Sequence, residues 1–119
     1  MKKILYVDDA ASMRKLVGLV LGKTYDLTIV ENGAEALQEA TQQKFDAVIS
    51  DINMPVMNGL EFLEKFRAMP ENQFTPILMM TTEASPEMKQ QGRDLGATGW
   101  IVKPFDPEKL SGLIERACS

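Results

Sequence analysis

The sequence predicts a doubly wound α/β domain, a five-stranded parallel sheet with helices on both faces. Short apolar runs alternate with helix-like stretches five times over, separated by connections of a few residues. Strands that are apolar without interruption are covered on both sides, and regular β-α alternation means a parallel sheet between two helical layers. The length of 119 residues suits one domain that can bury a core without disulfide or metal staples. Residues 1–119 show no linker, low-complexity tract or repeat beyond this alternation, so a single domain with no output domain attached is expected.

Ile4-Leu5-Tyr6-Val7 is the first strand, and it stops at Asp8-Asp9. Met13, Leu16, Val17, Val20 and Leu21 then recur at the spacing of one helix face, with Gly22 closing that helix. Leu27 to Val30 is the second strand and Glu31-Asn32-Gly33 a turn. A helix from Ala34 to about Gln43 buries Ala36, Leu37 and Ala40. The third strand, Ala47 to Ser50, ends on Asp51, and a loop with Pro55 and Gly59 follows. Gly59, Phe62, Leu63 and Phe66 line the third helix, which Pro70 terminates. Pro76 to Met80 is the fourth strand, ending at Thr81-Thr82-Glu83. Ser85-Pro86-Glu87 has the form of a helix start, serine capping and proline in the first turn. This helix runs to Leu95 before Gly96 and is the most polar, so it is expected to be the least firmly held. Gly99 to Val102 is the fifth strand, ending at Lys103-Pro104. Asp106-Pro107-Glu108 opens the last helix, with Leu110, Leu113, Ile114 and Ala117 inward.

Composition narrows the chemistry. A net charge of −4 argues against a nucleic-acid binder, which would carry a basic patch. The single cysteine, Cys118, cannot form an internal disulfide, and a reducing, cytoplasmic setting is expected. No apolar run approaches the ~18 residues that span a bilayer, and the run after Met1-Lys2-Lys3 is too short for a signal-peptide core. The absence of histidine excludes Ser-His-Asp and Cys-His catalysis and His-ligated zinc.

The remaining polar residues collect at strand ends: Asp8 and Asp9 at the first, Asp51 at the third, Thr81 and Thr82 at the fourth, Lys103 at the fifth. Central strand ends of a doubly wound sheet converge on a crevice at the topological switch point. Three carboxylates there repel one another unless a cation neutralises them. Carboxylate oxygens without sulfur or imidazole select Mg²⁺ or a similar hard divalent ion such as Mn²⁺. A lysine and one or two hydroxyls suit the oxygens of a phosphoryl group. An aspartate beside a bound cation is a known type of covalent nucleophile. Taken singly, each residue has a plainer reading: helix-terminal acids for Asp8-Asp9, turn caps for Asp51 and the threonines, a solvated charge for Lys103. Their joint arrival at strand ends, with none interrupting a strand, favours a site.

Asp8-Asp9 after Ile4-Leu5-Tyr6-Val7, the stretch Asp51 to Gly59, Met80-Thr81 and Lys103-Pro104-Phe105 resemble the response-regulator receiver domain of two-component signalling, over the whole chain and in order. That fold is flavodoxin-like. The resemblance implies that Asp51 is the phosphoacceptor. It also implies that Asp9 and Asp51 bind Mg²⁺ directly, with the Asn53 carbonyl, and Asp8 through water. Lys103 and the Thr81 hydroxyl would contact phosphoryl oxygens, the Lys103–Pro104 bond would be cis, and Asn53 and Glu83 would tune hydrolysis. Trp100 stands where the family has its switch aromatic, usually tyrosine or phenylalanine. A core tryptophan is the plainer reading, and its bulk puts a conventional two-rotamer switch in doubt.

The function so implied is a phosphoacceptor signalling protein rather than an enzyme. A sensor histidine kinase or histidine phosphotransfer protein would phosphorylate it. The face of the fourth helix, fifth strand and fifth helix would then change its affinity for a protein target. Pro76 to Glu83 and Gly96 to Phe105 are most similar to single-domain chemotaxis regulators, whose target is a flagellar motor switch. A monomer is expected, with no nucleic-acid partner and no membrane insertion. Three rivals are weighed: a phosphate shuttle or sink in a phosphorelay, a metal-dependent phosphatase, and a flavodoxin-like cofactor binder. A phosphatase commonly has a second acid two residues after the nucleophile, where this chain has Asn53, and a flavodoxin-like binder has hydroxyl- and glycine-rich phosphate loops, which are absent here.

Overall fold

Five strands, β1 (Lys3–Val7), β2 (Asp26–Val30), β3 (Ala47–Asp51), β4 (Ile77–Thr81) and β5 (Gly99–Val102), lie parallel in the order β2-β1-β3-β4-β5. The computed structural model describes residues 1–82 and 85–118. Between the strands run α1 (Ala11–Leu21), α2 (Gly33–Gln42), α3 (Gly59–Ala68) and α4 (Pro86–Leu95), and α5 (Leu110–Cys118) closes the chain. The doubly wound fold is therefore the one expected from the alternation of apolar runs.

The two-residue period of a strand divides the core in two. Ile4, Tyr6, Ile49, Met80 and Ile101 face α1 and α5, meeting Val17, Leu21, Leu110 and Ile114. Leu5, Val7, Val48 and Met79 face the other way, against Ala36 and Ala40 of α2 and Phe62, Leu63 and Phe66 of α3. β3 and β4 are buried at every residue, whereas β2 and β5, at the sheet edges, are partly open. Chain turns fall where side chains replace the missing helical hydrogen bonds. Asn32, Asn58 and Ser85 accept the N–H of Glu35, Glu61 and Met88 at the starts of α2, α3 and α4. Gly96, at φ 102°, closes α4 in the left-handed conformation that glycine alone adopts freely.

Three local features differ from expectation. Leu16 is 41% exposed, off the inner face of α1. The five apolar residues predicted for that face span about 140° of arc at 3.6 residues per turn, and the contact centres on the Val17–Leu21 side. Thr81 is the last residue of β4 rather than the first beyond it. Asp106 caps a single 3₁₀ turn, Pro107–Lys109, which leads into α5. Glu31-Asn32 finds its role here too: Asn32 caps α2, and the Glu31 N–H donates to Glu35 Oε1 at 3.1 Å.

Candidate functional site

β1 and β3 are neighbours in register, Val7 opposite Ser50, so each delivers its next residue, Asp8 and Asp51, to the same level of the sheet edge. The β2-β1-β3 order makes this the point where crossovers leave in opposite directions, the crevice of a doubly wound sheet. Asp8, Asp9 and Asp51 each present an oxygen within 4.8 Å of the others. Asp8 and Asp51 are buried and Asp9 is exposed.

Each carboxylate is held by its own neighbours. Asp8 Oδ1 accepts the Ala10 N–H at 3.0 Å and Oδ2 the Tyr6 hydroxyl at 2.7 Å. The Asp8 main-chain oxygen takes Arg14 Nη1 at 2.9 Å. Asp51 Oδ1 accepts the Ile52 N–H at 2.9 Å, and Oδ2 accepts from Lys103 Nζ at 2.8 Å. Lys103 Nζ also lies 3.6 Å from Asp8 Oδ2. The loop after β3 is drawn back onto the strand by Gly59, whose N–H donates to the Ile52 carbonyl at 2.7 Å. A Cβ there would stand 2.2 Å from the Asp51 main-chain oxygen, which only glycine avoids.

The other predicted residues fall around this centre. Lys103 follows β5 through a cis bond to Pro104, and its N–H donates to the Thr81 carbonyl at 2.9 Å. Thr81 is fully buried, its hydroxyl 3.8 Å from Met88 Sδ. Asn53 is exposed in the loop that follows Asp51. Trp100, on β5 opposite Met79, packs on α4. A Cβ on Gly92 would meet Trp100 Cζ2 at 2.3 Å, and the buried indole Nε1 has no hydrogen-bond partner among the described residues. Glu83 lies outside the described residues. Alongside Lys103 an apolar cavity of about 300 Å³ opens between Met13, Thr82, Pro104 and Phe105.

One ammonium, close to Asp51 and farther from Asp8, faces a cluster of three carboxylates and sets the electrostatics. Burial is the main cause that raises Asp51; Lys103 pulls it down and Asp8 and Asp9 push it up, leaving it above the usual carboxylate range. For Lys103 burial works downward, but the hydrogen bond and charge of Asp51, with Asp8, outweigh it, so the ammonium holds its proton more tightly than usual. Burial, followed by the bond to Asp8, raises the Tyr6 phenol far above its ordinary value, so it remains a donor. An excess of hard oxygen donors facing one lysine fits a divalent cation such as Mg²⁺.

Tyr6, the Ala10 N–H and Arg14 join the site without having been predicted. For Tyr6 a signal existed: residues two apart on a strand share a face, so Tyr6 and Asp8 project to the same side.

Fold and site together define a class, a doubly wound domain with an acidic pocket and an opposed lysine at its switch point. The chain belongs to the response regulator receiver domain family, whose model matches residues 4–115. It is thus the receiver domain of a two-component response regulator. Chemotaxis protein CheY-3 of Vibrio cholerae is 38% identical over 120 residues, covering 96% of this chain and 92% of that one. The structure of chemotaxis response regulator CheY4 of Vibrio cholerae superposes with a TM-score of 0.92 at 49% identity, covering 98% of each chain. The receiver domain of sensor histidine kinase PA1611 from Pseudomonas aeruginosa PAO1, with a magnesium ion coordinated in its active site cleft, gives a TM-score of 0.89 at 25% identity, covering 98% of this chain and 97% of that one. Other curated relatives are longer: the chain spans about half of the probable transcriptional regulator ycf29 of Porphyra purpurea, 34% identical over 94% of this chain and 54% of that protein. Among the described residues no helix is long and apolar enough to cross a membrane.

Proposed function

We propose that this domain accepts a phosphoryl group on Asp51 from the phosphohistidine of a sensor histidine kinase or histidine phosphotransfer protein, and thereby changes its affinity for a protein target. The observation that carries the reading is the convergence of Asp8, Asp9 and Asp51, with Lys103 bonded to the acceptor at 2.8 Å.

Asp9 and Asp51 would hold a Mg²⁺ or Mn²⁺ ion directly, with the Asn53 carbonyl, and Asp8 through water. The ion would supply positive charge to the phosphoryl oxygens. A carboxylate oxygen of Asp51 attacks phosphorus, the O–P bond forming as the P–N bond breaks. The electron pair departs with the donor imidazole, which carries a proton on its other ring nitrogen and so leaves as the neutral ring. Lys103 exchanges its contact with Asp51 for one with a phosphoryl oxygen, and the Thr81 hydroxyl takes another. The apolar cavity beside Lys103 is a suitable seat for the donor ring. Asn53 and Glu83 would flank the phosphoryl group and set how fast water removes it.

The output would be the face of α4, β5 and α5. There Val102 is half exposed, and Lys89, Arg93 and Trp100 line a recess of about 390 Å³. Similarity to CheY-3 and CheY4 supports a chemotaxis role, with the domain acting alone as a cytoplasmic monomer on a motor-switch type of target. Incubation with radiolabelled phosphoramidate and Mg²⁺ tests the chemistry. Label should enter the wild type, fail to enter Asp51→Asn, and be abolished by a chelator; equal labelling of both proteins would refute the assignment.

A further inference from the structure

The acidic site contains one contact that its receiver-domain chemistry leaves unexplained. Asp8 is fully buried, and its Oδ2 faces two donors at unequal distances: the Tyr6 hydroxyl at 2.7 Å and the Lys103 ammonium at 3.6 Å. Lys103 instead bonds to Asp51 at 2.8 Å. A lysine between two buried carboxylates would ordinarily be divided between them, since each gains from a short ionic contact. Here the division is unequal, 2.8 Å to Asp51 against 3.6 Å to Asp8.

We propose that Tyr6 is a positioning residue that holds Asp8 off Lys103, so that Asp8 keeps its charge available to a cation and Lys103 stays committed to Asp51. The inference rests on the reading of Asp8, Asp9 and Asp51 as a cation site.

The geometry supports it from both ends. Tyr6 sits in the middle of β1, paired with Ile29 on one side and Ile49 on the other, and is fully buried among Val17, Leu21 and Leu110. Its ring cannot swing, so its hydroxyl is a fixed point. On the other oxygen, Asp8 Oδ1 is tied to the Ala10 N–H at 3.0 Å. Two rigid donors, one on each oxygen, leave the Asp8 carboxylate a single orientation. Without the hydroxyl, only the Ala10 bond resists rotation of Oδ2 toward Lys103. Closing that 3.6 Å gap would neutralise Asp8 and draw the lysine from the acceptor. Residues that orient metal-binding carboxylates typically matter about tenfold or more in affinity.

The test is Mg²⁺ binding measured calorimetrically on the unphosphorylated protein, comparing wild type with Tyr6→Phe, which keeps the buried ring. The circular dichroism spectrum and melting profile establish that the variant is folded. Tyr6→Phe should weaken Mg²⁺ binding about tenfold. The same substitution placed in a Lys103→Met background should have little further effect, because there is no ammonium for Asp8 to approach. Unchanged or tighter binding by folded Tyr6→Phe would overturn the proposal. So would an equal loss in the Lys103→Met background, which would mean that the hydroxyl acts on the cation without Lys103. If wild type binds no Mg²⁺, the cation-site reading fails and the proposal fails with it; normal wild-type binding with no effect of Tyr6→Phe removes the proposal alone.

Discussion

Asp51 is held in the folded protein at the expense of stability. Burial and the neighbouring Asp8 and Asp9 raise its pKa above the ordinary 3.8 despite Lys103. A carboxyl with a raised folded value binds its proton more tightly folded than unfolded. Its contribution is therefore fully favourable below 3.8 and is lost as pH rises through the folded value. Asp51→Asn removes that penalty and leaves Lys103 its contact with Asp8. In chelated buffer at pH 7 the variant should melt a few degrees above wild type, and near pH 3.5 the two should converge. A variant that melts lower at pH 7 would contradict the electrostatic account. Val56 is a second strained residue, this time in the backbone. It has φ 72° and lies between Pro55 and Met57, whose carbonyl and N–H bond at 2.8 Å. A β-branched residue is poorly suited to that region. Its side chain is 81% exposed, so nothing is packed against it to lose. Val56→Gly, which has no Cβ to strain there, should stabilise the domain by about 0.5–1 kcal/mol in denaturant unfolding.

At the scale of elements, α4 has the fewest buried residues of the five helices among the described residues, Gly92 alone. The expectation that it is weakly held is supported by that burial. Its C-terminal end, however, is fastened. Arg67 of α3 donates through Nε and Nη2 to the Gly96 carbonyl at 3.0 and 2.8 Å, and through Nη1 to Asn72 at 2.7 Å. Trp100 of β5 fits against Gly92 at the middle of the helix. The seat is glycine-sized, since a Cβ at 92 would lie 2.3 Å from the indole ring. Gly92→Ala should displace the tryptophan toward solvent, red-shifting its emission, and cost about 1–3 kcal/mol by overpacking. A spectrum identical to wild type would mean that the ring is not seated there. Trp100 is the only tryptophan, so the signal has one source.

For the whole molecule, the sequence is a good guide wherever a periodic pattern and a chemical boundary coincide. Ile4–Val7 stopping at two aspartates, or the apolar β3 run stopping at Asp51, marks both a strand and a site, because a buried strand tolerates charge only at its end. The parallel sheet then brings those ends together, so the cluster of Asp8, Asp9 and Asp51 follows from topology. Contacts that depend on side-chain direction are less legible. The bond from Tyr6 to Asp8 needs the hydroxyl and carboxylate to point at each other across two residues, and composition and strand boundaries do not specify that. Arg67 on Gly96 joins residues 29 apart. Leu16 fits the helix period yet faces outward, because the period does not say where the neighbouring layer stops. Glu31-Asn32-Gly33 reads as a turn, but the cap that Asn32 places on the Glu35 N–H depends on where α2 begins, which turn residues alone do not specify.

The central claim is that Asp51 forms a covalent acyl phosphate. It is tested most directly by treating the protein with phosphoramidate and Mg²⁺, reducing with borohydride, and sequencing the peptides by mass spectrometry. An acyl phosphate is reduced to the alcohol, so homoserine should replace aspartate at position 51 and nowhere else. Aspartate intact at 51, or homoserine at Asp8 or Asp9 instead, would contradict the account.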